Sequence, residues 1–268
     1  MVGFILGVIA SSFATVVYQT LAQRRRRAAR RRKPNLPRTE REYWRTFHLI
    51  RGDVQAAVKS FNTYLSVHNL VVAERGIQDK INRFPEYWTL SLFALQTTFF
   101  IVFGRLFDDR SDSHSVQKLV EATIAHPEFF SRAALRERRR EASKIAGTDP
   151  DWLKQFLADA WEPIGADIEP LRAALVPHSQ RVAKIYKPLR HKVFAHKAVE
   201  DDAAISALFA KTLIGDVMDT LRFLHTLLWA ISELAWNATK PDLTNFRDYE
   251  SYVKDQNAKT ERFVRQLP

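Results

Sequence analysis

From Thr39 onward the apolar positions recur three and four residues apart. Tyr43, Phe47, Ile50, Val54, Ala57, Phe61 and Tyr64 share one face of a long helix that the pattern carries to about Phe84. Thr39-Glu40-Arg41-Glu42 has the hydroxyl and carboxylate spacing of a capping box, which predicts the start. Pro85 suits the first turn of a second helix, where Trp88, Leu92, Leu95, Phe99, Val102 and Leu106 keep the same spacing. That stretch has no charge between Tyr87 and Gly104, so it has the polarity of a membrane span. Thr89, Ser91, Gln96, Thr97 and Thr98 interrupt it and no basic cluster flanks it, which predicts a buried central helix instead. After the polar string at 108–115, shorter helices are predicted over 116–125, 128–146 and 151–160. A further segment runs from about 167 to 187 with Pro177 as a kink, and Pro188 permits a fresh start. Ile214, Val217, Leu221, Leu224, Leu228, Ile231 and Ala235 then form a bundle seam in a helix over 211–237, to which Trp229 and Trp236 add bulk. The tail from Pro241 reads as an amphipathic helix on Phe246, Tyr249, Val253 and Phe263. With only 8 glycines and helical spacing throughout, the fold class is all-α, and a β-sandwich or a Gly-rich dinucleotide fold is disfavoured.

The charge alters this picture at one place. The 268 residues carry 41 basic and 30 acidic side chains, a formal net charge of +11. Eight of the positive charges sit at Arg24, Arg25, Arg26, Arg27, Arg30, Arg31, Arg32 and Lys33, which leaves the rest close to neutral. Residues 1–23 contain no charged side chain, and 4–22 would make ~29 Å of helix, close to a hydrocarbon core. A cleaved signal carries its positive residues before the apolar run, whereas here the arginines follow it. A basic arm for nucleic acid would explain the arginines but not the uncharged run before them. The order fits a single transmembrane helix with a stop-transfer tract, its N-terminus outside and everything after it cytoplasmic. Gly3, Gly7, Ser11 and Thr15 place small residues on one face, as a helix pair would use. The organisation is therefore an anchor at 1–23, a basic tract and linker at 24–38, and a helical domain at 39–268.

Most catalytic signatures are missing. Without cysteine there is no thiol catalysis, thiolate zinc or iron-sulfur ligation, and the phosphate loop, nucleophile elbow, HExxH and EF-hand patterns do not occur. His191 and His196 lie five apart, which does not put two imidazoles on one helix face, so no metal or cofactor is expected. The arginines of 128–146, interleaved with Glu137 and Glu141, read as a solvated face. One string concentrates chemistry: Lys187-Pro188-Leu189-Arg190-His191-Lys192-Val193-Phe194-Ala195-His196-Lys197. A histidine titrating near neutrality can take a 2′-hydroxyl proton or protonate a leaving oxygen, and a permanently charged arginine can stabilise a phosphoryl centre.

This string resembles the R-x(4-6)-H motif of the HEPN superfamily, with five residues between Arg190 and His196 and the polar His191 directly after the arginine. RHKVFAHK downstream of FGRLFDDRSDSHSVQKL at 103–119 resembles the abortive-infection AbiU-type branch. There an Arg-x-x-Asp-like segment, matched here by Arg105 to Asp108, ends a helix before a polar loop. The resemblance extends over residues 40–266 by order of elements and is sharp in those two strings. It implies a HEPN-like helical bundle and a metal-independent endoribonuclease acting in phage defence or as a toxin. Arg190 would then stabilise the phosphate, His196 act as acid or base, and His191 assist. It also implies RNA as substrate, a homodimer in which two motifs face each other, and room for a neutralising antitoxin.

The bare motif occurs three times, as Arg41 with His48, Arg172 with His178 and Arg190 with His196. The third is set apart by Pro188, His191, the Val193-Phe194-Ala195 anchor and the core helix downstream. On a straight helix Arg190 and His196 would lie roughly 120° and ~9 Å apart. The alternative is a non-catalytic, membrane-tethered binding module. In it Arg190 pairs with Glu200, Asp201 or Asp202. In either reading His225 is a satisfied core histidine, and Arg105 has the spacing to pair with Asp108 and Asp109 within its helix. The absence of an obvious aromatic platform for RNA favours that alternative.

Overall fold

Thr39 opens the first helix as expected, with its hydroxyl accepting from the Glu42 N–H at 3.2 Å. The Glu42 carboxylate reaches back to the Arg38 N–H at 2.8 Å, so the reciprocal half of the box closes one residue early. The computed structural model describes residues 36–110, 113–195 and 202–267; the anchor and arginine tract expected at 1–33 lie outside them. The chain divides into two units, residues 37–108 with 114–268, and residues 1–36 with 109–113. In the second, Ser113 closes a turn on the Arg110 carbonyl through its N–H at 3.2 Å and its hydroxyl at 2.8 Å.

Helix α1 (Glu40–Ala73) does not run to Phe84. Glu74 is extended (φ −135°, ψ 108°) and the chain restarts as α2 (Arg75–Asn82). The bend buries Ile77 and Ile81 with Val67, Trp88 and Val264 in a small second core. Arg265 holds the Glu74 carboxylate at the bend with two bonds of 2.6 Å. Helix α3 (Pro85–Leu106) is central only along its C-terminal half, where Phe99, Phe100, Val102, Phe103 and Leu106 are buried in the main core. Its first half exposes Tyr87, Leu90 and Phe93, and among the described residues it is the one helix long and apolar enough to cross a membrane.

Helix α4 (Val116–Ala125) has its predicted bounds and is capped by Ser115. A short 3₁₀ turn (Pro127–Phe130) leads to α5 (Arg132–Ala142), then α6 (Asp151–Ala158), α7 (Gly165–Ile168) and α8 (Pro170–Arg181). A π-wound turn (Val182–Tyr186), the single turn α9 (Lys187–Leu189) and a second π-wound turn (Arg190–Ala195) continue the path. Helix α10 (Asp202–Phe209) precedes α11 (Ile214–Asn237), whose expected seam is buried from Val217 to Ala235 while Ile214 at its start is exposed, and α12 (Arg247–Arg265) closes the bundle. On α12 Tyr249 and Val264 are buried, but Phe263 points outward.

Of the α5 arginines, Arg132 and Arg136 lie on the expected exposed face with Glu137 and Glu141, whereas Arg138, Arg139 and Arg140 are half-buried and bond to other parts of the fold. Helix α11 has no basic residue in its last turn. Its terminal carbonyls are instead met from α5: Arg138 donates to Ala235 O at 2.9 and 3.2 Å, and Arg139 to Trp236 O. Orphan carbonyls and the negative end of the helix dipole both favour such cations. Arg138 also bonds Glu40 and Phe129 O, while Arg136 and Arg140 converge on Asp149. Burial pushes the nearby Tyr43 phenol above its usual range although its oxygen meets Thr123 Oγ1 at 2.7 Å.

Candidate functional site

Pro188 shapes the candidate site. It has no N–H for the carbonyl four residues back, and its ring would collide with that carbonyl in an α-turn. The chain before it is π-wound, which opens the turn, and the chain after Leu189 is π-wound again. The straight α-helix on which an Arg190–His196 separation of about 9 Å rests is therefore absent between 190 and 195. Tyr186 and Leu189 are fully buried, with the Tyr186 ring edge-on to Phe103 at 5.4 Å and its hydroxyl donating to Leu213 O at 3.3 Å. Val193 packs on the same core. These contacts dock the turn on the C-terminal half of α3.

The docking lays Arg190 across Gly104. A Cβ at position 104 would stand 2.2 Å from Arg190 Cδ, 3.1 Å from Nε and 3.2 Å from NH1. Only glycine admits the side chain in this place. Arg190 is half-buried; among the described residues its Nε has no hydrogen-bond partner and its guanidinium no carboxylate. An unmade bond at a buried donor costs about 1–3 kcal/mol. The group is thus presented as a cation whose bonding capacity the fold leaves unfilled. His191 follows it in an exposed position. His196 lies outside the described residues, as do the side chains of Glu200, Asp201 and Asp202.

Gly104 was not among the residues the sequence singled out. Its signal was there: a glycine inside an apolar helix is about 1 kcal/mol less favourable than alanine and asks for a reason. Arg105, beside it, pairs with Asp53 of α1 (Nε to Oδ2 2.7 Å) rather than with Asp108 and Asp109. The reason is geometric, since α1 and α3 pack face to face there. Asp108 is buried at the end of α3 with its N–H on Arg105 O at 3.1 Å.

The other copies of the motif are accounted for differently. Arg172 is bound by Glu121 and Glu169. His178 stacks on Phe223 at 4.1 Å and meets Thr220 Oγ1 at 3.1 Å. Burial, assisted by Arg181, pushes its imidazole down to about 4, too low for a neutral-pH acid or base. His225 is not the satisfied core histidine expected: its Nδ1 is buried without a hydrogen bond, 3.5 Å from Asp248. Among the described residues no group of three His, Asp or Glu side chains could hold a metal ion.

The described residues form an all-α bundle that docks a proline-initiated arginine turn on the end of its central helix. The chain belongs to the AbiU2 family of HEPN proteins: the family's model matches residues 41–255, about four fifths of its length. No curated protein and no solved structure matches it.

Proposed function

We propose that this AbiU2-family protein is a membrane-tethered endoribonuclease of the abortive-infection kind, cutting RNA without a metal in phage defence or as a toxin. Its helical domain lies in the cytoplasm, held by the apolar run at 1–23 and the arginine tract after it. The carrying observation is Arg190, laid over Gly104 with a buried, unfilled donor. In the reaction the 2′-oxygen attacks the adjacent phosphorus as its proton passes to a base, and the 5′-oxygen leaves with a proton from an acid, giving a 2′,3′-cyclic phosphate. His196 serves as acid or base, Arg190 stabilises the charge gathering on the phosphoryl oxygens, and His191 assists. Two copies facing each other would supply both proton-transfer groups, and an antitoxin would act by covering the turn.

The test is cleavage of single-stranded RNA by the full chain in mild detergent with chelator present, beside His196→Ala and Arg190→Ala. Loss of cleavage in both variants with helical content unchanged is the expected result. Equal cleavage by His196→Ala removes that residue from the mechanism. A second reading, a non-catalytic binding module, draws on the packing of the Arg190 stem against the core. It requires that the unsubstituted chain leave RNA intact.

A further inference from the structure

The seam between α1 and α11 is open. Two adjoining cavities of about 270 and 190 Å³ lie along it and share Phe47, Arg51 and Ser232. Trp44 and Trp236 line the first; Trp229, His225 and Tyr252 line the second. Positions 44, 48, 51 and 55 on α1 and 225, 229, 232 and 236 on α11 repeat at one-face helical spacing, so the trench runs ~16 Å.

Three features mark it as built for a ligand. Trp229 and Trp236, assigned by the sequence pattern to the core, are 45% and 37% exposed. The His225 Nδ1 and the Tyr252 hydroxyl, both on residues lining the second cavity, are buried without hydrogen bonds. Arg51 sits exposed between the two aromatic ends, 6.0 Å over the Phe47 ring, with no carboxylate partner among the described residues. The other lining cation, Arg138, is already held by Glu40.

We propose that this trench binds a short run of unpaired RNA nucleotides, with bases against its two tryptophan-lined ends and the phosphate between them at Arg51. An aromatic–cation–aromatic order is what a single strand presents in reverse: flat apolar base faces separated by negative charge. Two carboxylates, Glu141 and Asp248, line the opposite ends. They repel phosphate there and can accept from exocyclic amino groups, which confines the phosphate to the middle. Arg51 opposes a cationic occupant, and the unfilled polar groups oppose a purely apolar one. The choice of RNA as the strand rests on the reading of the preceding subsection; the stacking and phosphate contacts do not. The trench is also the aromatic platform that the sequence pattern had hidden.

The experiment measures anisotropy of a labelled 12-nucleotide single-stranded RNA on the full His196→Ala chain in mild detergent, with chelator. Trp229→Ala and Trp236→Ala should each weaken binding roughly 5- to 150-fold. Trp152→Ala, a control 50% exposed on α6, should change nothing. Arg51→Gln should flatten the slope of log affinity against log salt by about 0.7, one phosphate on a single strand. Unchanged affinity in both trench tryptophan variants overturns the proposal. So does a duplex that binds as tightly as the strand, or a mononucleotide that matches the 12-mer. Cleavage by the unsubstituted chain is read separately, so failure of the trench and failure of the nuclease reading are distinguishable.

Discussion

Replacing Gly104 by alanine separates the stability of the bundle from the placement of Arg190. The added Cβ would lie 2.2 Å from Arg190 Cδ, while carbon pairs sit best at about 3.5–4.0 Å, so the arginine stem must retreat by about 1.3–1.8 Å. Overpacking of this size costs about 1–3 kcal/mol. Alanine's better helix propensity returns about 1 kcal/mol at this interior position of α3. The net destabilisation is therefore about 0–2 kcal/mol, or at most about 4–8 °C in Tm for a domain of this size. A guanidinium displaced by more than 1 Å loses far more as a catalytic group, on the order of 100-fold in rate. Thermal melts by circular dichroism and chelator-resistant RNA cleavage read the two effects side by side. A double-mutant cycle isolates the contact: with Arg190→Ala in the background, Gly104→Ala should raise stability, because only the propensity gain remains. An equal Tm change in both backgrounds would refute the contact, and undiminished cleavage by Gly104→Ala would refute its importance for chemistry.

Arg138 is only 10% exposed and joins α5 to Glu40, Phe129 O and Ala235 O, so Arg138→Ala should cost about 2–4 kcal/mol in urea unfolding. The His178 imidazole is depressed from 6.5 to about 4 in the folded chain, so between those values the unfolded state binds the extra proton. Stability should then fall as pH drops from about 6.5 toward 4, and His178→Asn should flatten that part of the urea-midpoint profile. His48 and His225, also held below the usual range by burial, act in the same direction. In the small α1–α2–α3–α12 core, Ile81→Ala should cost about 2 kcal/mol and raise amide exchange in α2 before the main core responds. Removing residues 1–23 should move the protein from the membrane to the soluble fraction, and retention at the membrane would refute the anchor.

The elements that could be read from the sequence are those whose partners are local. The Ser115 cap and the apolar run after it bound α4 to the residue, and the seam of α11 follows from spacing within one helix. What spacing cannot reveal is which side of a helix another element covers. The pattern of α1 continues past Ala73, yet the chain bends at Glu74 because Ile77 and Ile81 find Val264 of α12, nearly two hundred residues on. Trp229 lies next to the α11 seam and was counted with it, but α1 leaves that flank open. Long-range ion pairs were hidden for the same reason: Arg105 meets Asp53 and Arg138 meets Glu40 across the bundle, so local carboxylates were the wrong partners to expect. Of the candidate site, the arginine turn and its Pro188 start were visible. The π-winding and the Gly104 cradle were not, because both arise only when the turn docks on α3.

The pairing of the arginines limits where anion chemistry can occur. Among the described residues, half-buried Arg138, Arg140, Arg172, Arg181 and Arg222 each hold a carboxylate, and Arg139 holds the end of α11 through Trp236 O and Asn237 Oδ1. Most of what they lose in hydration is thereby recovered in bonds, although the Arg139 Nε, like that of Arg190, stays buried without an acceptor. Arg190 is half-buried too, yet among the described residues its Nε has no acceptor and its guanidinium no carboxylate. A buried guanidinium donor without an acceptor carries a desolvation cost, and the packing on Gly104 supplies no hydrogen bond to offset it. A phosphate arriving at the turn would supply the missing acceptors, so the penalty falls when RNA binds and lessens further as charge develops on the phosphoryl oxygens. By the same logic Arg190→Met, which keeps the stem and removes the charge, should leave the folded chain as stable or more stable while abolishing cleavage. A variant that loses stability instead would mean that the guanidinium is bonded within the fold, and the catalytic reading of Arg190 would go with it.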